Sequence, residues 1–175
     1  MNAHPQDKNF VTQEFILLVG RFCLLPFPTI CMVHGGAVAG GCMLSFAHDL
    51  TYVAGKGKFS TKEVELQMHF PPGMLAIIRK RHPNPQVLRD MIIFSKEFQA
   101  EEAFQEKLID GILKEDEALD FIYEKAEKLS DYGENKVIMG KVKGELHKDI
   151  AEACFNHQLA PSSVAYFKLP ISPKI

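Results

Sequence analysis

The chain has 175 residues, 46% of them hydrophobic and 24% charged, with a formal net charge of −2. That length and balance suit a globular unit with a sizeable apolar core. They give no electrostatic ground for nucleic acid or an anionic membrane surface as partner.

In chain order, the polar opening Met1 to Asn9 fits neither a secretory leader nor an Arg-rich transit peptide. Thr12 is predicted to cap a helix running to about Leu25, with Phe15, Leu18, Val19 and Phe22 on one face. Gly20, Arg21 and Pro26 interrupt this stretch, and no run of about 18 apolar residues occurs elsewhere, so no membrane span is predicted. Pro26 and Pro28 end the helix, since proline lacks the amide proton and restricts the residue before it. Thr29 to Val33 is β-branched and apolar without alternation, as a strand buried on both faces would be. The glycine-dense stretch His34 to Gly41 reads as a loop, Cys42 to His48 as a helix, Leu50 to Ala54 as a strand and Gly55 to Lys58 as a turn. A strand, glycine loop, helix and strand in succession predict an α/β layered fold with parallel pairing.

The remainder reads as helices over Gly73–Arg81, Pro85–Phe94, Ala100–Leu108 and Glu115–Leu129, then one long helix from Asn135 to Asn156. Val137, Val142, Leu146, Ile150 and Ala153 would form the apolar stripe of that last helix. Arg79-Lys80-Arg81 reads as a solvated helix end. The four cysteines are scattered without metal-ligand spacing, which suggests buried reduced thiols, a reducing compartment and no metal. The tail after Pro161 carries Tyr166, Phe167 and Leu169 and reads as an irregular arm that packs on something; its Ser-Pro-Lys-Ile end is only a loose match to a peroxisomal address.

Two segments bear on chemistry. Glycines before a helix let the backbone approach a ligand closely, and a helix start favours negative charge, so the Gly40 or Gly41 amide could stabilise an oxyanion. A tight strand-to-helix turn without a ligand accounts for the same residues. No P-loop ending and no GxGxxG spacing are present. Glu63 lies between a turn and an apolar stretch. Held in an apolar pocket it would be a usable base near neutral pH; at a helix start it would simply face solvent.

Pro28-Thr29-Ile30-Cys31-Met32-Val33-His34-Gly35-Gly36-Ala37-Val38-Ala39-Gly40-Gly41-Cys42 resembles the crotonase signature. His48-Asp49-Leu50 resembles the acidic residue and strand that follow it. Ser60 to Met74 is similar to the glutamate-bearing stretch of monofunctional Δ3-Δ2-enoyl-CoA isomerases, and Phe98 to Ala103 with Leu108 to Leu113 to a later helix and strand. The resemblance implies an α/β fold, an incomplete crotonase ββα-superhelix core at 1–113 followed by a C-terminal helical region at 114–175. It implies an acyl-CoA thioester as substrate and no separate cofactor. Glu63 maps onto the single proton-shuttling glutamate and Gly40 onto the second oxyanion donor, with Gly36, Ala37, Gly41, Met43, Gln67 and Pro72 beside the substrate. Hydratases carry another glutamate where this sequence has Met43, so the resemblance favours an isomerase. His34 would hold the loop backbone. Gln67 and His69 depart from the family's usual glycine and proline, and His69 reads as a partly buried structural histidine.

The family's first oxyanion donor and much of its coenzyme A site precede the glycine signature, ahead of which this sequence opens only one helix. Loss of one such donor costs about 2.7–4 kcal/mol of transition-state stabilisation. The expectation is therefore that a longer or second chain completes the site, or that the protein is an inactive structural or interaction subunit of a larger assembly. A trimer-based homo-oligomer and a peroxisomal or mitochondrial location complete the reading.

Overall fold

The computed structural model describes residues 5–156, with side chains from Thr12 onward. The first helix, α1, spans Pro5–Cys23. It opens on a proline, which has no amide to leave unpaired there. Thr12 lies inside this helix rather than capping it, and the helix ends short of Leu25.

Two long parallel strands form the centre of the sheet. Strand β1 runs Ile30–Val38 and β2 runs Leu50–Ser60, paired from Ile30 with Leu50 to Val38 with Ser60. Both therefore continue through the segments expected to be a glycine loop and a turn. The reason is a bulge: the register shifts between His34 and Gly35, where Gly35 and Gly55 adopt φ of 82° and 68°. Past the bulge, a Cβ on Gly57 would lie 2.6 Å from the Gly35 carbonyl oxygen. Only glycine lets the two backbones approach this closely, so here the glycines extend the strands instead of ending them.

Helix α2, Gly40–Ala47, connects the two strands. The far edge of β2 pairs with β4 (Gly111–Leu113, parallel, at Tyr52–Ala54) and with β3 (Phe98–Gln99, antiparallel, at Lys58–Phe59). Helices α3 (Pro72–Arg81), α4 (Pro85–Ile92), α5 (Ala100–Gln105) and α6 (Ala118–Lys128) fall close to the expected spans. The core gathers Val19, Cys23, Met43, Phe46, Val53, Phe59, Ile77 and Met91 between α1, α2, α3, α4 and the sheet. Phe46 and Phe59 stack with centroids 5.8 Å apart, tying α2 to β2 by about 0.5–1.5 kcal/mol beyond area burial. Tyr52 meets Phe121 of α6 edge-on.

The last expected helix is two: α7, Lys136–Leu146, and α8, Lys148–Phe155, separated at His147 with φ −115° and ψ 29°. The break turns Ile150 and Cys154 into the core while Val137, Val142 and Leu146 stay exposed. The continuous stripe thus does not exist; α8 packs on α1 and α3, and α7 presents its apolar residues outward. No described helix is long and apolar enough to cross a membrane. The tail after Pro161, with Tyr166, Phe167 and Leu169, lies outside the described residues.

Candidate active site

Parallel pairing delivers the ends of β1 and β2 to the same edge of the sheet. Val38 is level with Ser60, and the Ala39 amide donates to the Ser60 carbonyl at 2.8 Å. One residue later α2 begins. Three residues past Ser60 stands Glu63. In open α/β sheets the crevice beyond the carboxyl ends of the strands is where ligands bind.

Ala39 makes the turn with φ 49° and ψ −119°, a conformation that costs a residue with a side chain on the order of 1–3 kcal/mol. No side chain caps α2, and its first turn holds no acidic residue. The amides of Gly40, Gly41 and Cys42, which have no partner within the helix, therefore present a set of donors. A Cβ on Gly40 would come 3.2 Å from the Phe15 ring of α1, whereas around Gly41 the space is open.

Glu63 is 4% exposed, and its Oε2 is buried without a hydrogen-bond partner among the described residues. Burial pushes its pKa above the ordinary 4.5, opposed only in part by its own amide. The neighbourhood is fixed by the thiol of Cys42, in the first turn of α2. That thiol is pushed up by burial first and by the Glu63 carboxylate second, and it meets the Ser60 backbone. Ser60 Oγ is likewise buried without a partner, so two of the three such atoms among the described residues sit at this one strand end. Thr61 anchors the segment, donating its hydroxyl to the Met91 carbonyl at 2.6 Å. The turn behind Glu63 closes through the Met68 amide to the Glu63 carbonyl at 2.7 Å, with Gln67 at φ 55°.

The remaining expected site residues separate. Gly41 is exposed at the start of α2, and Pro72 opens α3. Gln67 is exposed on the turn that carries Glu63. Gly36 lies within β1, level with Lys58, rather than in a loop. Ala37 and Met43 are sealed in the core, 4% and 0% exposed, because the extended strand and early helix point them inward. His34 does not brace the loop: its imidazole is exposed and meets Glu115 at 2.7 Å. His69 is exposed rather than partly buried. The strained Ala39 and the orphaned Ser60 hydroxyl had no signature beyond standing next to Gly40 and Glu63. Among the described residues no group of three His, Cys, Asp or Glu is placed to hold a metal.

Residues 1–162 match the enoyl-CoA hydratase/isomerase family model. The peroxisomal enoyl-CoA delta isomerase 1 of Arabidopsis thaliana is 24% identical over 135 residues, 76% of this chain and 56% of that protein. The human mitochondrial Delta(3,5)-Delta(2,4)-dienoyl-CoA isomerase is 29% identical over 94 residues, 54% of this chain and 29% of that protein. The chain thus spans about half or less of these relatives' length. Among solved structures, the apo enoyl-CoA isomerase of Mtb superposes with a TM-score of 0.76 at 22% identity, covering 85% of this chain and 65% of that one. An enoyl-CoA hydratase from Mycobacterium marinum gives 0.73 at 22%, covering 82% and 62%. At such identities the structural likeness speaks for the fold, which is that of the crotonases.

Proposed function

Because the chain belongs to the enoyl-CoA hydratase/isomerase family, we propose that it serves the Δ3-Δ2 isomerisation of an enoyl-CoA thioester, with Glu63 as the single proton carrier. The supporting observation is the buried, unpartnered Oε2 of Glu63 beside the uncapped start of α2. In this reading the Glu63 carboxylate takes a proton from C2 of the 3-enoyl chain. The freed electron pair delocalises onto the thioester oxygen and toward C4, and the Gly40 amide donates to that oxygen. Glu63 then returns the proton at C4, leaving the double bond between C2 and C3 and the carboxylate regenerated. Desolvation raises the affinity of Glu63 for the proton it must hold between the two steps.

Hydration is the less supported chemistry, since the residue after the glycine pair and Cys42 is Met43, which is fully buried and carries no proton. Residues 1–113 carry the proposed site, and residues 114–175, read as C-terminal helices and tail, the assembly contacts. No cofactor beyond the thioester enters. The first oxyanion donor and the coenzyme A contacts are assigned to sequence outside this chain's match, supplied by a longer or second polypeptide.

A second reading, an inactive structural subunit, draws support from the apolar residues that α6 and α7 expose, among them Leu119, Tyr123, Val137, Val142 and Leu146. Those residues fit a trimer-based or larger assembly under either reading. A peroxisomal or mitochondrial location follows the names of the relatives. The test is formation of 2-enoyl-CoA from a 3-enoyl-CoA by native material whose mass is measured alongside. Glu63→Gln is expected to lower the rate by about 10²–10⁴-fold. A rate that survives the substitution sinks the assignment, and no turnover by the complete assembly selects the structural reading.

A further inference from the structure

At the other end of the β1–β2 pair a cavity of about 450 Å³ opens between the end of α2, the last turn of α3 and the break before α8. Asp49, Arg79, Lys80, Arg81, His147 and Asp149 face it. Asp49 precedes β2 and Glu63 follows it, so at about 3.3 Å per residue the two places lie roughly 30 Å apart.

Two of these charges are already answered. Lys143 meets Asp49 at 2.6 Å, and Asp110 meets Arg81 at 2.5 Å. Arg79 and Asp149 form no ion pair among the described residues. Lys80 reaches only the carbonyls of Phe46, Ala47 and His48, at 3.5, 3.3 and 3.2 Å. His147 is the independent sign of a ligand: it is 5% exposed, lines the cavity, and its imidazole has no hydrogen-bond partner among the described residues. The buried orphan atoms among the described residues lie elsewhere, so the His147 ring nitrogens open onto this cavity, where a ligand can meet them. His147 also stands at the start of α8, which no side chain caps, so the first amides of that helix add donors beside the Asp149 carboxylate of the same turn. Burial, and then Lys80, hold the His147 imidazole below its ordinary 6.5, so near neutral pH it is an uncharged donor and acceptor.

We propose that this cavity is a second binding site for a phosphorylated, hydroxyl-bearing small molecule. Arg79, Lys80 and the α8 amides hold the phosphoryl group, while Asp149 and His147 take the hydroxyls. Asp149, the carboxylate on the wall that no cation answers among the described residues, speaks against a bare anion and for a ligand that carries hydroxyl donors. The volume agrees, since it falls within the range of small-molecule pockets and exceeds what a free phosphate ion fills.

The test is heteronuclear NMR of the His147 ring during titration of the full chain at fixed ionic strength. The probes are ribose 5-phosphate, inorganic phosphate and ribose. A saturable shift is expected with ribose 5-phosphate, weaker with inorganic phosphate and weakest with ribose. Arg79→Ala, at an exposed position, is expected to reduce the affinity about tenfold, the loss of one charge-assisted hydrogen bond. Asp149→Asn is expected to weaken ribose 5-phosphate, and Glu63→Gln to leave the titration unchanged. No saturable shift with any probe overturns the site. So does a shift that Arg79→Ala leaves intact. Equal affinity for inorganic phosphate, or tighter binding by Asp149→Asn, overturns the hydroxyl-bearing ligand.

Discussion

Glu63 and Lys143 are sealed to the same degree, 4% and 5% exposed, at opposite ends of one strand pair. Lys143 is fully answered: its ammonium donates to Asp49 Oδ2 at 2.6 Å and to the Phe27 carbonyl at 2.9 Å. Asp49 in turn accepts from the Thr29 amide and hydroxyl at 2.7 and 2.9 Å. This network clamps α7 to the start of both strands and leaves its two charges nothing to do but hold structure. Glu63 has a buried oxygen with no partner, next to another orphan at Ser60 and a strained turn at Ala39. A fold retains unpaired polar atoms and strain at cost, and they gather where chemistry needs an unquenched group.

The largest separation of the two ends is expected in stability. Lys143→Met leaves the Asp49 carboxylate without its counter-charge and should cost about 3–5 kcal/mol, read from chemical denaturation. Glu63→Gln removes an unpaired buried carboxyl and should leave stability unchanged or raised at neutral pH.

Opposite pH dependences sharpen the contrast. Burial would raise the pKa of Asp49, but Lys143 and Thr29 outweigh it and hold the group below 3.8. Its contribution is therefore present above that value and fades as the pH falls through its depressed folded-state pKa. Glu63 is raised above 4.5, so its contribution is present below 4.5 and fades as the pH rises through its folded-state pKa. Denaturation profiles should lose the acid-side term in Lys143→Met and the term above 4.5 in Glu63→Gln. Identical profiles for the two variants would erase the distinction. The smallest effect belongs to Ala39→Gly, which should relieve the positive φ and raise stability by about 1 kcal/mol, seen as a higher melting temperature.

Much of this was legible in the sequence. The unbroken apolar run Thr29–Val33, the glycines behind it and the second run at Leu50 fixed the α/β order, and the motif spacing pointed to Gly40 and Glu63. Strand length was not legible, because Gly35, Gly55 and Gly57 look like loop residues until the partner strand shows a shared bulge. The break at His147 was hidden for a related reason. Helical periodicity counts apolar positions, and only tertiary packing decides that Ile150 turns inward while Val142 and Leu146 face out. Ala37 and Met43 were placed beside the substrate by the resemblance, and the burial of both side chains in the core could be seen only in the structure. The cavity beside Arg79 was illegible because its walls come from three distant segments.

The most direct measurement is a titration of the Glu63 carboxyl carbon by NMR, with the Glu63→Gln variant giving the assignment. The midpoint is expected above the ordinary 4.5, with a change in the signal when a 3-enoyl-CoA is added to the complete assembly. A midpoint at or below 4.5 that ignores the thioester would mean that Glu63 has a partner and faces no substrate.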